Sequence, residues 1–184
     1  MDELNNIIIK LKNTPTDINE HIETLVKYAS QSDHITEMGV RGIFSTWAFI
    51  ASKPKKLISY DLYNPIKHGG NIQNVYDLAK KYNIEFEFHE ANVRDIEIEE
   101  TDLLFIDTWH VYEQLKIELK LHSPKTKKYI IMHDTTLFGV KGEDGRSKGL
   151  WFAVEEFLIE NPQWQILERF THNNGLTILQ KMNI

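Results

Sequence analysis

The chain has 184 residues, 41% of them hydrophobic and 26% charged, with a formal net charge of -6 and no cysteine. This is the composition of an ordinary globular domain, and it excludes disulfides and thiolate chemistry, so that any metal must be held by oxygen or imidazole. Scattered lysines on an acidic chain disfavour nucleic acid or a membrane surface as partner. No apolar run approaches the ~20 residues of a membrane span, and Asp2 and Glu3 stand where a signal peptide carries basic charge, so a cytoplasmic protein is expected.

Residues 1–16 read as a polar lead-in to one domain covering 1–184, with its core at about 20–181. Asp17 and Glu20 have the spacing of a helix-start capping pair, and Ile18, Ile22, Leu25, Val26 and Ala29 follow at helical spacing. His34 to Gly39 predicts a short strand with a sharp glycine exit, after which Ile43, Phe44, Trp47, Ala48 and Ala51 return to helical period. The alternation repeats: a strand at 57–61, a helix face at Ile72, Val75, Ala79 and Tyr82, and a strand at 84–89. Positions 102–107 and 129–134 are near-continuous apolar runs, the pattern of strands covered on both faces. Val111, Leu115 and Leu119 mark a helix between them, and Leu150, Ala153, Val154, Phe157 and Leu158 another after them. Only at the end does the rhythm change, because strands at 164–170 and 176–179 are joined by Thr171-His172-Asn173-Asn174-Gly175, which has no room for a helix. The sum is an α/β domain with a mostly parallel sheet and an antiparallel finish.

In such sheets ligands bind beyond the carboxyl ends of the strands. Glu37 precedes the turn Gly39-Val40-Arg41-Gly42, where glycine permits close approach of a ligand and the next helix offers amide donors. The dinucleotide pattern G-x-G-x-x-G is absent. Asp61 ends the second strand, where an acid can accept from both ribose hydroxyls, and Asn92 follows the third, where it can pair with an adenine edge. Each alone has a plain alternative as a turn or loop-capping residue; together they describe an adenosine pocket. The fourth and fifth strands end in Asp107-Thr108-Trp109-His110 and His133-Asp134-Thr135. On neighbouring strands, about 4.8 Å apart, Asp107 and Asp134 can converge on one divalent cation such as Mg²⁺ or Mn²⁺, with His133 beside them. The alternative is a helix-capping Asp107 and a packed core His133.

Leu103 to Glu113 and Ile130 to Thr135, with the cofactor loop Glu37 to Thr46 and the tail motifs Gly149 to Phe157 and Asn173 to Leu176, resemble the class I S-adenosylmethionine-dependent methyltransferases, in the group with cephalosporin-hydroxylase-like and sugar O-methyltransferases. The resemblance implies a Rossmann-like fold of seven strands with helices on both faces. It implies cofactor contacts at Glu37, Gly39 and Asp61, with Arg41, Gly42, Ser45, Asn92 and Asp107 completing the candidate set. It also implies a divalent cation at Asp107 and Asp134, with His133 where metal-dependent members carry a further acid, and His110 as the general base toward a sugar or other small-molecule hydroxyl. Ile43 stands where many members have a small residue.

Two other readings stay open on the sequence: a metal-dependent hydrolase using Asp107, His110, His133 and Asp134, and a binding protein of the same fold without turnover. Whether the chain forms a homo-oligomer is also open. Lys141 to Gly149 has the glycine and charge content of either a mobile lid or a solvated loop.

Overall fold

The structure is a computed structural model that describes residues 3–182; positions 1–2 and 183–184, the two ends of the expected 1–184 domain and Asp2 with them, lie outside the described residues. Five parallel strands, β1 (His34–Met38), β2 (Lys56–Asp61), β3 (Glu85–Glu90), β4 (Thr101–Ile106) and β5 (Thr126–His133), are completed by β6 (Trp164–Phe170) and β7 (Leu176–Lys181). The order across the seven-stranded sheet is β3-β2-β1-β4-β5-β7-β6, with β7 antiparallel to both β5 and β6. The expected architecture is therefore present. Strand and helix limits fall within a few residues of the sequence reading.

Among the described residues six α-helices cover the sheet: α1 (Glu3–Asn13), α2 (Ile22–Ala29), α3 (Phe44–Ala51), α4 (Ile72–Lys81), α5 (Tyr112–His122) and α6 (Leu150–Glu160). The period-2 alternation of the strands sorts their side chains into two apolar layers. Leu103 and Phe105 of β4 and Ile131 of β5 face α1 to α4, whereas Leu104 and Ile106 with Ile130 and Met132 face α5 and α6. This is why β4 and β5 are unbroken apolar runs in sequence.

Two expectations at the N-terminus are corrected. The lead-in contains a helix, α1, whose Leu4 and Leu11 are buried one helical stripe apart; interspersed lysines and asparagines hide that stripe from a reading of polarity alone. Nor do Asp17 and Glu20 form a capping pair. The chain enters α2 through a 3₁₀ turn, Asn19–His21, with no side-chain cap. Asn19 Oδ1 takes the Thr16 amide at 3.1 Å, and Asp17 turns outward to Arg41 Nη1 at 3.1 Å.

The sheet order places β1 and β4 side by side while the helices that follow them pack on opposite faces, which opens a crevice at their carboxyl ends. No helix among the described residues is long and apolar enough to cross a membrane.

Candidate functional site at the carboxyl ends of the strands

The crevice is built on one backbone contact. Gly39 has φ +88°, and a Cβ placed on it would lie 1.9 Å from the Asp107 carbonyl oxygen. Only glycine tolerates both the left-handed conformation and that approach. The Asp107 amide donates to the Met38 carbonyl at 2.8 Å and the Gly39 amide to the Tyr60 carbonyl at 2.9 Å, so the exits of β1, β2 and β4 are tied together. Arg41 (φ 43°) and Ile43 (φ 63°) are also left-handed, a strained state for a β-branched residue such as Ile43. Asp61 holds the strained turn: its Oδ2 accepts the amides of Val40 at 2.8 Å and Arg41 at 2.9 Å, and its Oδ1 accepts that of Tyr63 at 3.0 Å.

Glu37 lies beneath this turn and is fully buried. Ser45 Oγ–H donates to its Oε1 at 2.6 Å, while Thr46 Oγ1–H at 2.8 Å and Ser59 Oγ–H at 2.6 Å donate to its Oε2. Burial pushes its carboxyl up to about 7 against the pull of those hydroxyls. Glu37 thus joins β1 to the start of α3 and to β2, and its two oxygens already have partners.

Two cavities meet above the turn. One, of about 540 Å³, is lined by Gly39, Asp61, Tyr63, Asn92, Asp107 and Trp109 among others. The second, of about 420 Å³, runs over Val40, Gly42 and Ser45 to Thr16 and Asp17. Arg41, His68 and Asp107 line both. Asn92 reaches the first cavity from a turn it also caps, its Oδ1 accepting from the Arg94 amide at 3.1 Å and its Nδ2–H donating to Asp95 at 2.8 Å. A larger cavity, about 720 Å³, lies between α1, α3 and α4 and contains none of the strand-end acids.

At the β4 and β5 exits two carboxylates and two imidazoles face one another. His110 Nε2 is 3.2 Å from Asp107 Oδ1 and 3.0 Å from Asp134 Oδ2. His133 Nδ1 reaches the same two oxygens at 3.3 and 3.4 Å. Donor atoms of Asp107, His110 and Asp134 all lie within 4.8 Å of one another, a spacing that can hold a metal ion; the sequence reading had placed His133 in that trio and His110 beside it. Asp134, at φ 60°, is 4% exposed, and its Oδ1 has no hydrogen-bond partner. Burial alone would lower both imidazoles, but the facing carboxylates outweigh it and hold His110 at about 10 and His133 at about 11. The same contacts keep Asp107 and Asp134 below the usual carboxylate range despite burial.

Several groups that orient this quartet were not legible in the sequence. Glu143 Oε2 accepts from His110 Nδ1 at 3.1 Å, and the Phe138 ring stacks on His110 with centroids 5.0 Å apart. The loop carrying Glu143 is a folded turn: Gly142 N–H donates to Ser147 at 2.9 Å and Glu143 N–H to the His110 carbonyl at 3.0 Å. Beneath the β4 exit, buried Glu118 takes Thr108 Oγ1–H at 2.6 Å and Gln114 Nε2–H at 2.8 Å, and burial pushes it up to about 7. On the β5 side, His133 Nε2–H donates to the carbonyls of Asp17 at 3.0 Å and Asn173 at 3.3 Å. Asn173 also pins the segment before α2, donating to the Thr16 carbonyl at 2.9 Å and accepting from the Glu20 amide at 3.1 Å. Its place in a polar turn between two strands and in the tail motif Asn173 to Leu176 singled it out in the sequence, but not its partners.

No family model and no curated protein matches the chain. Solved structures do match in fold. A Podospora anserina methyltransferase bound to S-adenosylhomocysteine superposes with a TM-score of 0.63 at 16% identity, over 100% of this chain and 89% of its own. An O-methyltransferase from Bacillus cereus in complex with S-adenosylhomocysteine gives 0.66 at 13% identity, over 98% and 91%. The O-methyltransferase TomG of Streptomyces achromogenes, in complex with S-adenosylmethionine, gives 0.62 at 13%, over 100% and 91%.

Proposed function

We propose, for a chain with the class I methyltransferase fold, that it transfers a methyl group from S-adenosylmethionine to a hydroxyl of a small molecule or sugar, with a divalent cation held at Asp107 and Asp134. The observation that carries this reading is the position of Asp107, which lines both cavities and belongs to the carboxylate–imidazole quartet. The cofactor space and the cation space therefore share one residue. The net charge of -6, with lysines scattered along the chain, favours a small-molecule acceptor over nucleic acid or a membrane surface.

The residues present fit both groups. Two adjoining cavities of about 540 and 420 Å³ suit a nucleoside joined to an amino acid. Asp61 Oδ1 carries one amide bond and retains a lone pair for a ribose hydroxyl. Asp134 faces His110 and His133 through Oδ2, and with Asp107 and His110 it forms a donor group spaced to hold a cation.

When bound, S-adenosylmethionine supplies an electrophilic methyl group on sulfur, and its transfer leaves S-adenosylhomocysteine. In that displacement the acceptor oxygen's lone pair forms the new C–O bond, the C–S electron pair returns to sulfur, and the hydroxyl proton must leave. Asp107, whose backbone N–H donates to the Met38 carbonyl, would orient the acceptor at the junction of the cavities. His110, more exposed than His133, would be the group placed to take that proton when a cation at Asp107 and Asp134 balances the two carboxylates and leaves its imidazole neutral. Asp107 and Asp134 would hold the dication, which would supply that balance and Lewis acidity toward the acceptor hydroxyl.

The test is formation of S-adenosylhomocysteine from S-adenosylmethionine over a panel of sugars, catechols and hydroxy acids, with and without EDTA. Turnover that EDTA abolishes and added Mn²⁺ or Co²⁺ restores is expected. Binding of S-adenosylhomocysteine without turnover on any acceptor would favour a binding protein, and hydrolysis without cofactor would favour the hydrolase.

A further inference from the structure

The cation site has an asymmetry that bears on which ion it takes. Both imidazoles facing Asp107 and Asp134 have their outer nitrogen fixed by an acceptor: Glu143 for His110, and the carbonyls of Asp17 and Asn173 for His133. Without an ion the inner nitrogen of each ring faces the carboxylate oxygens as an N–H donor; with one bound, the fixed outer N–H would set the tautomer whose inner nitrogen turns its lone pair to the metal. The two rings differ in what else they can do. His133 is 1% exposed, sits at the end of β5 and is anchored by two segments, so no acceptor can reach it. His110 is on the loop between β4 and α5, half-buried, with Phe138 stacked on its ring and Glu143 on its Nδ1. A fixed ligand belongs on the rigid strand end, and a group that must touch the acceptor belongs on the loop.

We infer that His133 Nδ1 is a fixed nitrogen ligand, which with Asp107 and Asp134 makes a mixed N,O site that takes a first-row transition-metal dication in preference to Mg²⁺. Two observations on His133 itself support it: its doubly anchored outer nitrogen, and its Nδ1 at 3.3 Å from Asp107 Oδ1 and 3.4 Å from Asp134 Oδ2. Mg²⁺ favours all-oxygen octahedra and keeps several waters, whereas imidazole suits Mn²⁺, Fe²⁺, Co²⁺ and Zn²⁺. The inference rests on the methyl-transfer reading for what the ion does, and on the quartet alone for where and how it binds.

The experiment is titration of EDTA-treated full-length protein with Co²⁺ and with Mg²⁺ by calorimetry, with the Co²⁺ visible spectrum recorded alongside. Co²⁺ is expected to bind at least about tenfold more tightly than Mg²⁺ and to show the d–d bands of nitrogen ligation. His133→Asp, which makes the donor set all oxygen, should lose those bands and erase the preference, while His110→Ala should keep both. Equal affinity for the two ions, binding of neither, or loss of the bands in His110→Ala would overturn the inference. If His133→Asp fails to fold, the wild-type preference and the His110→Ala spectrum still decide. Titration of the same samples with S-adenosylhomocysteine separates the two proposals. Cofactor binding without the ion preference sinks the ion site alone, and Co²⁺ binding through His133 without cofactor binding sinks methyl transfer alone.

Discussion

Glu37 near the end of β1 and the Asp107–Asp134 pair just past β4 and β5 are acids, fully buried, half-buried and buried in turn, at the same edge of the sheet, yet they are opposite kinds of group. Glu37 is surrounded by three hydroxyls and no cation, so burial dominates and its carboxyl rises to about 7. Asp107 and Asp134 face two imidazoles, and their carboxyls fall. Burial by itself does not make an acid functional; the neighbours decide whether it is a neutral tie in the frame or a charge that calls for a counter-ion.

That contrast can be broken most strongly at Asp107. Replacement by Asn keeps the shape and removes the charge; methyl transfer should fall by about 10²–10³-fold, while calorimetric affinity for S-adenosylhomocysteine stays within a few-fold. Retained activity would remove Asp107 from the chemistry. Next in size is Gly39→Val, whose Cβ would meet the Asp107 carbonyl at 1.9 Å. A loss of about 3 kcal/mol or more is expected in urea unfolding, since the turn and the β4 exit cannot both keep their places.

Glu37→Gln should act in the opposite direction. A carboxyl raised from 4.5 to about 7 on folding contributes stability that is fully present below pH 4.5 and is lost as pH rises through 7. The wild-type protein should therefore lose stability across that window, and Glu37→Gln should lose less. The variant should exceed wild type by about 1–3 kcal/mol at pH 8. A variant less stable than wild type at pH 8 would mean that the ionised form is the better tied one. The smallest effect belongs to the surface pair of Arg41 and Asp17, 3.1 Å apart. Arg41→Ala should change stability by less than about 0.5 kcal/mol, so any larger loss of S-adenosylhomocysteine affinity in the same variant would report a direct cofactor contact.

The sequence carried most of the frame because the frame depends on periodicity. Alternating apolar runs at β4 and β5 and helical stripes at α3, α4 and α6 are local patterns, and the glycine exit of β1 marks the turn. The α1 stripe was missed because two buried leucines in eleven residues are too sparse a signal among lysines and asparagines. At the site, residue types at strand ends drew attention to Asp61, Asp107, His110, His133 and Asp134, and the fold gathers the last four into one cluster. What the pattern could not convey is partnership. That Gly39 makes room for the Asp107 carbonyl, that Glu37 is spent on three hydroxyls, and that Glu143 and Asn173 orient the two histidines all depend on contacts between segments far apart in the chain.

The most direct measurement of the central claim is calorimetric titration of the wild-type protein with S-adenosylhomocysteine, repeated with Asp61→Ala. The account predicts saturable one-to-one binding that the variant weakens by at least tenfold, about 1.4 kcal/mol, because Asp61 both holds the β1 turn and lines the larger of the two joined cavities. Absence of binding to the wild-type protein, or equal binding by Asp61→Ala, would contradict it.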